Sequence, residues 1–144
     1  MLADLICRIV AIEGPIHVDE VARQISTAFG KNHTGSRISD AVNRAVGVAL
    51  GRDQELRKVR SFLLTRLQTE TPPVRDRSGA SGSIMMATYL PPMEIKAAAR
   101  RVIDESGEML TEGLVRAVRR LLGFQRVGPD LQVTILRAAL DPAE

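Results

Sequence analysis

With 144 residues, of which 44% are hydrophobic and only 3% aromatic, the chain can build one ordinary core or two small ones, and that core must be aliphatic. No apolar run reaches the roughly 20 residues that span a bilayer, no cationic leader precedes the first apolar residues, and the single cysteine, Cys7, excludes an internal disulfide and a cysteine-based zinc site. The net charge is only +3, but 17 of the 20 cationic residues are arginine, and residues 23–77 alone carry a net charge of +6. We therefore expect a cytoplasmic protein without membrane contact whose basic surface comes from the first half of the chain.

The first 50 residues predict three helices. The first helix ends at Gly14-Pro15, and Ile16 forms a short extended link to the second helix, for which His17 is the expected N-cap residue. A turn beginning at Gly30 leads to a third helix that starts near Ser36. Helical spacing predicts these buried positions: Leu2, Leu5, Ile6, Ile9, Val10, Val18, Val21, Ile25, Phe29, Ile38, Val42, Val46 (or Ala45) and Ala49.

Residues 56–59 and 62–65 predict two short strands joined at Arg60-Ser61. Three helices followed by a hairpin is the element order of a winged helix, so we predict a first winged-helix unit over residues 1–67. Because an isolated hairpin is marginally stable, it must pack on the helices.

A Pro-, Gly-, Ser- and Thr-rich stretch begins at Gln68, and we interpret residues 68–90 as a linker with a short strand at 84–90. Residues 91–144 predict a second helix-turn-helix unit with helices at about 93–106, 111–122 and 129–140. This unit leaves no room for a wing. The predicted fold class is therefore mainly α: tandem winged-helix or helix-turn-helix units, with a short β-hairpin wing in the first.

The two units align with each other at an offset of 93 residues without a gap. The offset matches three glycine pairs, Arg23 with Arg116, Arg44 with Arg137 and several apolar positions of helical spacing; the glycine pairs are Gly14 with Gly107, Gly30 with Gly123, and Gly35 with Gly128. This pattern predicts an internal repeat.

The third helix and the hairpin of the first unit carry the candidate nucleic-acid-binding residues. In a helix-turn-helix the last helix enters the major groove, where Arg can bind guanine and Asn adenine, while a basic wing contacts phosphate. Asp40 weighs against DNA, and an ordinary solvated helix face is the competing interpretation. The basic stretch extends through Arg66, Arg75 and Arg77. The predicted contact residues are Ser36, Arg37, Ser39, Asn43 and Arg44 on the helix, with Arg57, Lys58 and Arg60 in the hairpin.

The second unit offers a different prediction. Its acidic residues cancel its arginines, so a structural or partner-binding role suits it better than DNA contact. The competing hypothesis for the whole chain is accordingly a protein-interaction module, or a homodimer, without nucleic-acid binding. Its interface would use the apolar residues Met85, Met86, Tyr89 and Leu90.

Few features of the sequence point to an enzyme. The sequence has no phosphate-binding glycine loop and no nucleophile elbow, and neither His17 nor His33 has neighbours at metal-ligand spacing. Glu94-Ile95-Lys96 has the spacing of some metal-dependent nucleases but lies at a predicted helix start, where that site is not built. We expect no catalytic residues, no metal and no cofactor.

Several segments together resemble a bacterial domain of unknown function. The most specific is the run Glu13-Gly14-Pro15-Ile16-His17; the others are Val21–Ile25, Gly35–Ile38, Pro73–Arg77, Leu90–Ile95 and Leu122–Gly128. The resembled domain lies at the C-terminal end of large helicase-related proteins of superfamily I, often beside a restriction-endonuclease-like domain. The resemblance implies an accessory role in helicase-type DNA or RNA processing, with helicase or nuclease domains of a parent protein as partners. It carries over no ATPase, helicase or nuclease activity.

This chain departs from the family at the hairpin. Where the family usually has a Gly-Asp turn before Phe-Leu-Trp, this chain has Arg60-Ser61 before Phe62-Leu63-Leu64. The departure falls on the predicted wing tip.

Overall fold

The computed structural model describes residues 1–31, 34–126 and 128–140. The chain divides into two compact units, Met1–Thr71 (unit 1) and Pro72–Glu144 (unit 2). The prediction of a mainly helical protein is confirmed. No helix among the described residues combines the length and the apolar character needed to cross a membrane.

Unit 1 contains four helices and a three-stranded sheet within the described residues. Their order along the chain is α1 (Leu2–Glu13), β1 (Ile16–His17), α2 (Val18–Ala28), α3 (Ser36–Arg52), β2 (Leu56–Val59), β3 (Phe62–Thr65) and α4 (Arg66–Glu70).

The core of unit 1 forms because each helix presents one apolar stripe. Ile6 and Val10 of α1, Ile25 of α2, and Val42 and Val46 of α3 are all buried in one cluster. The spacing of four residues within α1 and within α3 places each pair on one face of its helix. One predicted core residue is wrong: Phe29 is 65% exposed, because α2 ends at Ala28 and the chain turns at Phe29.

The predicted hairpin is confirmed, and a third strand joins it. β2 and β3 are antiparallel, with Val59 opposite Phe62, and β3 also pairs with β1, so the strand order is β1-β3-β2. The sequence predicted Ile16 only as an extended link. Its strand exists because Leu63 of β3 lies directly opposite Ile16, and both side chains enter the core of unit 1.

The helix α4 fastens the end of the hairpin to α1. Thr65 and Gln68 form a capping box that starts α4, and the buried Gln68 amide donates to the carbonyl oxygens of Val10 (2.9 Å) and Ala11 (3.3 Å). Any side chain at Gly14 would overlap Gln68. Unit 1 therefore extends through Thr71, whereas the sequence placed a linker from residue 68 onward.

Unit 2 contains three α-helices in its described part: α5 (Pro92–Ser106), α6 (Thr111–Leu121) and α7 (Pro129–Ala139). Their buried stripes meet in a second cluster that includes Ile95, Val118, Leu122 and Ile135. The prediction of a strand at 84–90 is wrong. Two short 3-10 turns, Gly82–Met85 and Ala87–Tyr89, occupy this stretch.

Residues 72–80, which we call the arm, pack onto the helices of unit 2. Arg77 is buried, and its guanidinium forms two hydrogen bonds, of 2.6 and 2.8 Å, with the carboxylate of Glu94, which is 0% exposed. The backbone nitrogen of Arg75 donates to the same carboxylate at 2.8 Å, and that of Arg77 donates to the carbonyl oxygen of Leu122 at 2.9 Å. Residues 72–90 of the predicted linker are therefore an integral part of unit 2.

Candidate nucleic-acid interface

The helix α3 is oriented by its buried stripe. With about 100° between successive residues, Arg37, Asp40 and Arg44 fall on the face of the helix opposite Val42 and Val46. All three are exposed, in agreement with this geometry. Neither arginine forms an ion pair with Asp40 or with any other described residue, so both guanidinium groups are available to a ligand.

The polar residues of α3 lie beside this arginine stripe. Ser36 and Asn43 are exposed, whereas Ser39 is half-buried, because its position on the helix lies closer to the core. The helix begins after Gly35 without a side-chain cap from any described residue. The backbone N–H groups of its first turn, which carry the partial positive charge of the helix start, therefore have no capping side chain among the described residues.

The hairpin supplies three further cations, in two different states. Lys58 and Arg60 are exposed and have no ion-pair partner among the described residues. The guanidinium of Arg57 instead donates to the carbonyl oxygens of Gln54 and Leu56, so it must leave these backbone contacts before it can reach a ligand.

The tip of the hairpin has an unusual conformation. Arg60 has φ of 56°, in the left-handed region that glycine adopts most readily. Two-residue hairpin turns need such a positive φ, and a non-glycine residue there costs about 1–2 kcal/mol. The turn therefore holds a cation at its tip at some cost in stability.

The helix α2, which packs against α3 in the core of unit 1, begins at a buried histidine. The predicted N-cap role of His17 is confirmed: its Nδ1 accepts a hydrogen bond of 3.0 Å from the backbone nitrogen of Asp19. Burial lowers the pKa of His17, and the nearby Asp19 acts in the opposite direction with a smaller effect. The neutral imidazole is thus favoured, which is the form that Nδ1 needs to act as an acceptor.

A buried carboxylate of α2 pairs with a further arginine of unit 1, so that this arginine is not available to a ligand. The carboxylate of Glu20 accepts two hydrogen bonds from Arg23, at 2.6 and 2.8 Å. The positive charge of Arg23 is therefore neutralised locally, in contrast to Arg37 and Arg44.

Several other sequence-based assignments change. Arg77, predicted to extend the basic stretch, is buried against Glu94 and is not available to a ligand. The same pairing occupies the carboxylate of the Glu94-Ile95-Lys96 motif. His33 lies outside the described residues. No cluster of potential metal ligands occurs in the ranges that the structure describes.

The apolar residues predicted to form a protein interface are not all exposed. Leu90 is 1% exposed and belongs to the core, and Met85 packs against that core. Tyr89 is half-buried, which leaves Met86, 54% exposed, as the one member of the predicted set with a largely exposed side chain.

Residues 1–40 match the model of a protein family of unknown function, DUF3320. The match covers α1, β1, α2 and the first residues of α3, including Arg37 and Asp40. No curated protein and no solved structure matches the chain.

Proposed function

We propose that unit 1 is a winged-helix module that binds duplex DNA. The observation that carries the proposal is its connectivity: α1-β1-α2-α3-β2-β3, with strand order β1-β3-β2. This is the element order of a winged helix, in which α2 and α3 form the helix-turn-helix and β2-β3 the wing. In this assignment α3 enters the major groove and the hairpin contacts phosphate.

The charge distribution supports a polyanionic ligand. Arg37 and Arg44 lie on the outer face of α3 and Lys58 and Arg60 on the hairpin, all exposed, with Asp40 as the acid on the same face of α3. Arginine suits this role because its planar guanidinium donates paired hydrogen bonds to guanine or to phosphate. Asn43 supplies the amide that can bind adenine.

The resemblance to helicase-associated domains gives the binding a context. We infer that the chain acts as an accessory module in helicase-type DNA processing and is not itself an enzyme. Its partners in that role are DNA and the helicase or nuclease domains of a parent protein.

We infer that the internal repeat arose by duplication of this module. At the offset of 93 residues, α2 and α6 begin at matching positions, as do α3 and α7. Gly30 and Gly123, which also match, both have positive φ, of 78° and 84°.

The test is fluorescence anisotropy of a labelled duplex across a salt series. The variant Arg37→Ala/Arg44→Ala removes two proposed contacts, and Arg8→Ala/Arg52→Ala removes the same charge from exposed positions of unit 1 outside them. We expect the first variant to bind about tenfold more weakly and to lower the slope of log K against log salt by about two. Equal effects of the two variants would refute the assigned surface.

A second substitution should change the duplex affinity in the opposite direction. Asp40→Asn removes the negative charge between Arg37 and Arg44, so duplex binding should become tighter. Light scattering on the same samples tests the competing function, because a stable dimer without duplex affinity at low salt would favour a protein-interaction module.

A further inference from the structure

A groove of about 330 Å³ lies in unit 2 between α6, the turn that follows it and α7. Three arginines line it: Arg116 and Arg119 from α6, and Arg126 from the turn. Gln125 and Gln132 add exposed amide groups, and Glu112 is the acid that lines the groove. The lining residues therefore carry two more positive than negative charges, although unit 2 as a whole is nearly neutral.

One of the three arginines builds the groove rather than serving a ligand. The guanidinium of Arg119 donates to the carbonyl oxygens of Phe124 (2.6 Å) and Gln125 (2.8 Å). These bonds fix the turn after α6, and with it the position from which Arg126 extends. A hydrogen-bonded side chain thus ties one wall of the groove to α6.

The other two arginines have no hydrogen bond or ion pair with any described residue. A comparison with unit 1 gives the reason for Arg116. At the offset of 93 residues it corresponds to Arg23, which is neutralised by the buried Glu20, and the position corresponding to Glu20 is Gly113. Because Gly113 has no carboxylate, the guanidinium of Arg116 stays available.

We propose that this groove binds phosphodiester groups of a nucleic-acid backbone through Arg116 and Arg126. Guanidinium groups match phosphate in charge and geometry, and neutral amides such as Gln132 donate to phosphate oxygens without specifying sequence. This assignment reverses the structural role that the sequence favoured for unit 2. It rests on the proposed nucleic-acid binding of the chain, but it uses residues of unit 2, none of which belongs to α3 or the hairpin.

The first arm of the test measures duplex binding by anisotropy with the full chain. Arg116→Ala/Arg126→Ala should weaken binding about tenfold and lower the salt slope by about two, because two phosphate contacts are lost. The matched control, Lys96→Ala/Arg101→Ala, removes the same charge from α5, outside the groove, and should change affinity less than twofold. Glu112→Gln should tighten binding.

The second arm titrates inorganic pyrophosphate into the ¹⁵N-labelled chain and follows the amide signals by NMR. Saturable shifts at groove residues such as Gln132, absent in Arg116→Ala/Arg126→Ala, are expected. Signals such as that of Gln132 report on the groove, which this residue lines. This arm therefore separates the groove from the surface of α3, which the variant Arg37→Ala/Arg44→Ala tests.

The outcomes distinguish the two proposals. If the groove variant loses affinity and the α3 variant does not, the groove proposal stands and the surface proposed for unit 1 fails. If the groove variant binds the duplex like its control, the groove proposal is overturned, whether or not pyrophosphate shifts its signals. A chain that binds no duplex at low salt overturns both.

Discussion

The packing of the arm onto unit 2 can be tested at a single glycine. Gly123 has φ of 84°, and a Cβ atom added there would overlap Asp76 Oδ1 and the backbone nitrogens of Arg77 and Ser78. Gly30 has nearly the same conformation, with φ of 78°, but a Cβ atom there would meet no atom of the described residues within 4 Å. The two glycines thus separate the cost of backbone conformation from the cost of close packing.

The magnitude follows from this difference. Gly30→Ala should lower the free energy of unfolding of unit 1 by about 1–2 kcal/mol, the cost of a left-handed alanine. Gly123→Ala carries the same cost in unit 2 plus that of overpacking, about 1–3 kcal/mol, so the total should be about 2–5 kcal/mol. Displacement of the arm would also break the hydrogen bond from Arg77 to Leu122 and strain the pairing with Glu94.

The assay is urea unfolding with two probes. The chain has one tyrosine and no tryptophan, so the fluorescence of Tyr89 reports on unit 2, and far-ultraviolet circular dichroism reports on both units. Variants with unchanged m-values permit direct comparison of midpoints. If Gly123→Ala destabilises unit 2 by no more than Gly30→Ala destabilises unit 1, to within about 0.5 kcal/mol, the arm does not pack as described.

Three further predictions concern the polar groups that hold each unit together. Glu94→Gln leaves Arg77 buried without a carboxylate and should lower the unfolding free energy of unit 2, measured by tyrosine fluorescence, by about 3–5 kcal/mol. The double variant Arg77→Met/Glu94→Leu should recover most of that loss. A Glu94→Gln variant as stable as the wild type would contradict the pairing. Gln68→Ala removes the side-chain donor to the carbonyl oxygens of Val10 and Ala11 and should cost unit 1 about 1–3 kcal/mol by circular dichroism, with an unchanged stability of unit 1 as the contrary result. Because burial lowers the pKa of His17 below its ordinary value of 6.5, against the smaller effect of Asp19, its contribution to stability is present above pH 6.5 and is lost as the pH falls below it. His17→Asn, which still caps α2, should remove that pH dependence between pH 7 and 5, and an unchanged pH profile would show that another group is responsible.

The helices and the hairpin could be predicted because their signals are local. Apolar residues at helical spacing, the stop at Gly14-Pro15 and the proline at the start of α5 act over a few residues. The strand β1 could not be recognised, since two residues carry no period and Ile16 becomes a strand only through its pairing with Leu63.

The boundary between the units was harder to predict from the sequence, because two polar residues near it are buried. Proline, glycine and serine in residues 68–83 are typical of a linker, yet Gln68 and Arg77 are both buried through hydrogen bonds to distant groups. The capping-box pattern Thr65-Arg66-Leu67-Gln68 was a usable signal for α4. The partner of Arg77, 17 residues away at Glu94, left no such signal.

The candidate sites divide in the same way. Exposure of Arg37 and Arg44 follows from helix periodicity, so it could be predicted. The groove at Arg116 and Arg126 could not, because counting charges along unit 2 cancels arginines against acids of which Glu112 alone lines the groove. Only the fold decides which charges share a surface.

The most direct test of the account is an NMR titration of the ¹⁵N-labelled chain with a short DNA duplex at low salt. We predict that the amide signals of α3 between Ser36 and Arg44, and of the hairpin between Lys58 and Arg60, shift together and saturate, and that added salt reverses the shifts. Binding that leaves these two segments unperturbed, or no binding at all, would contradict it.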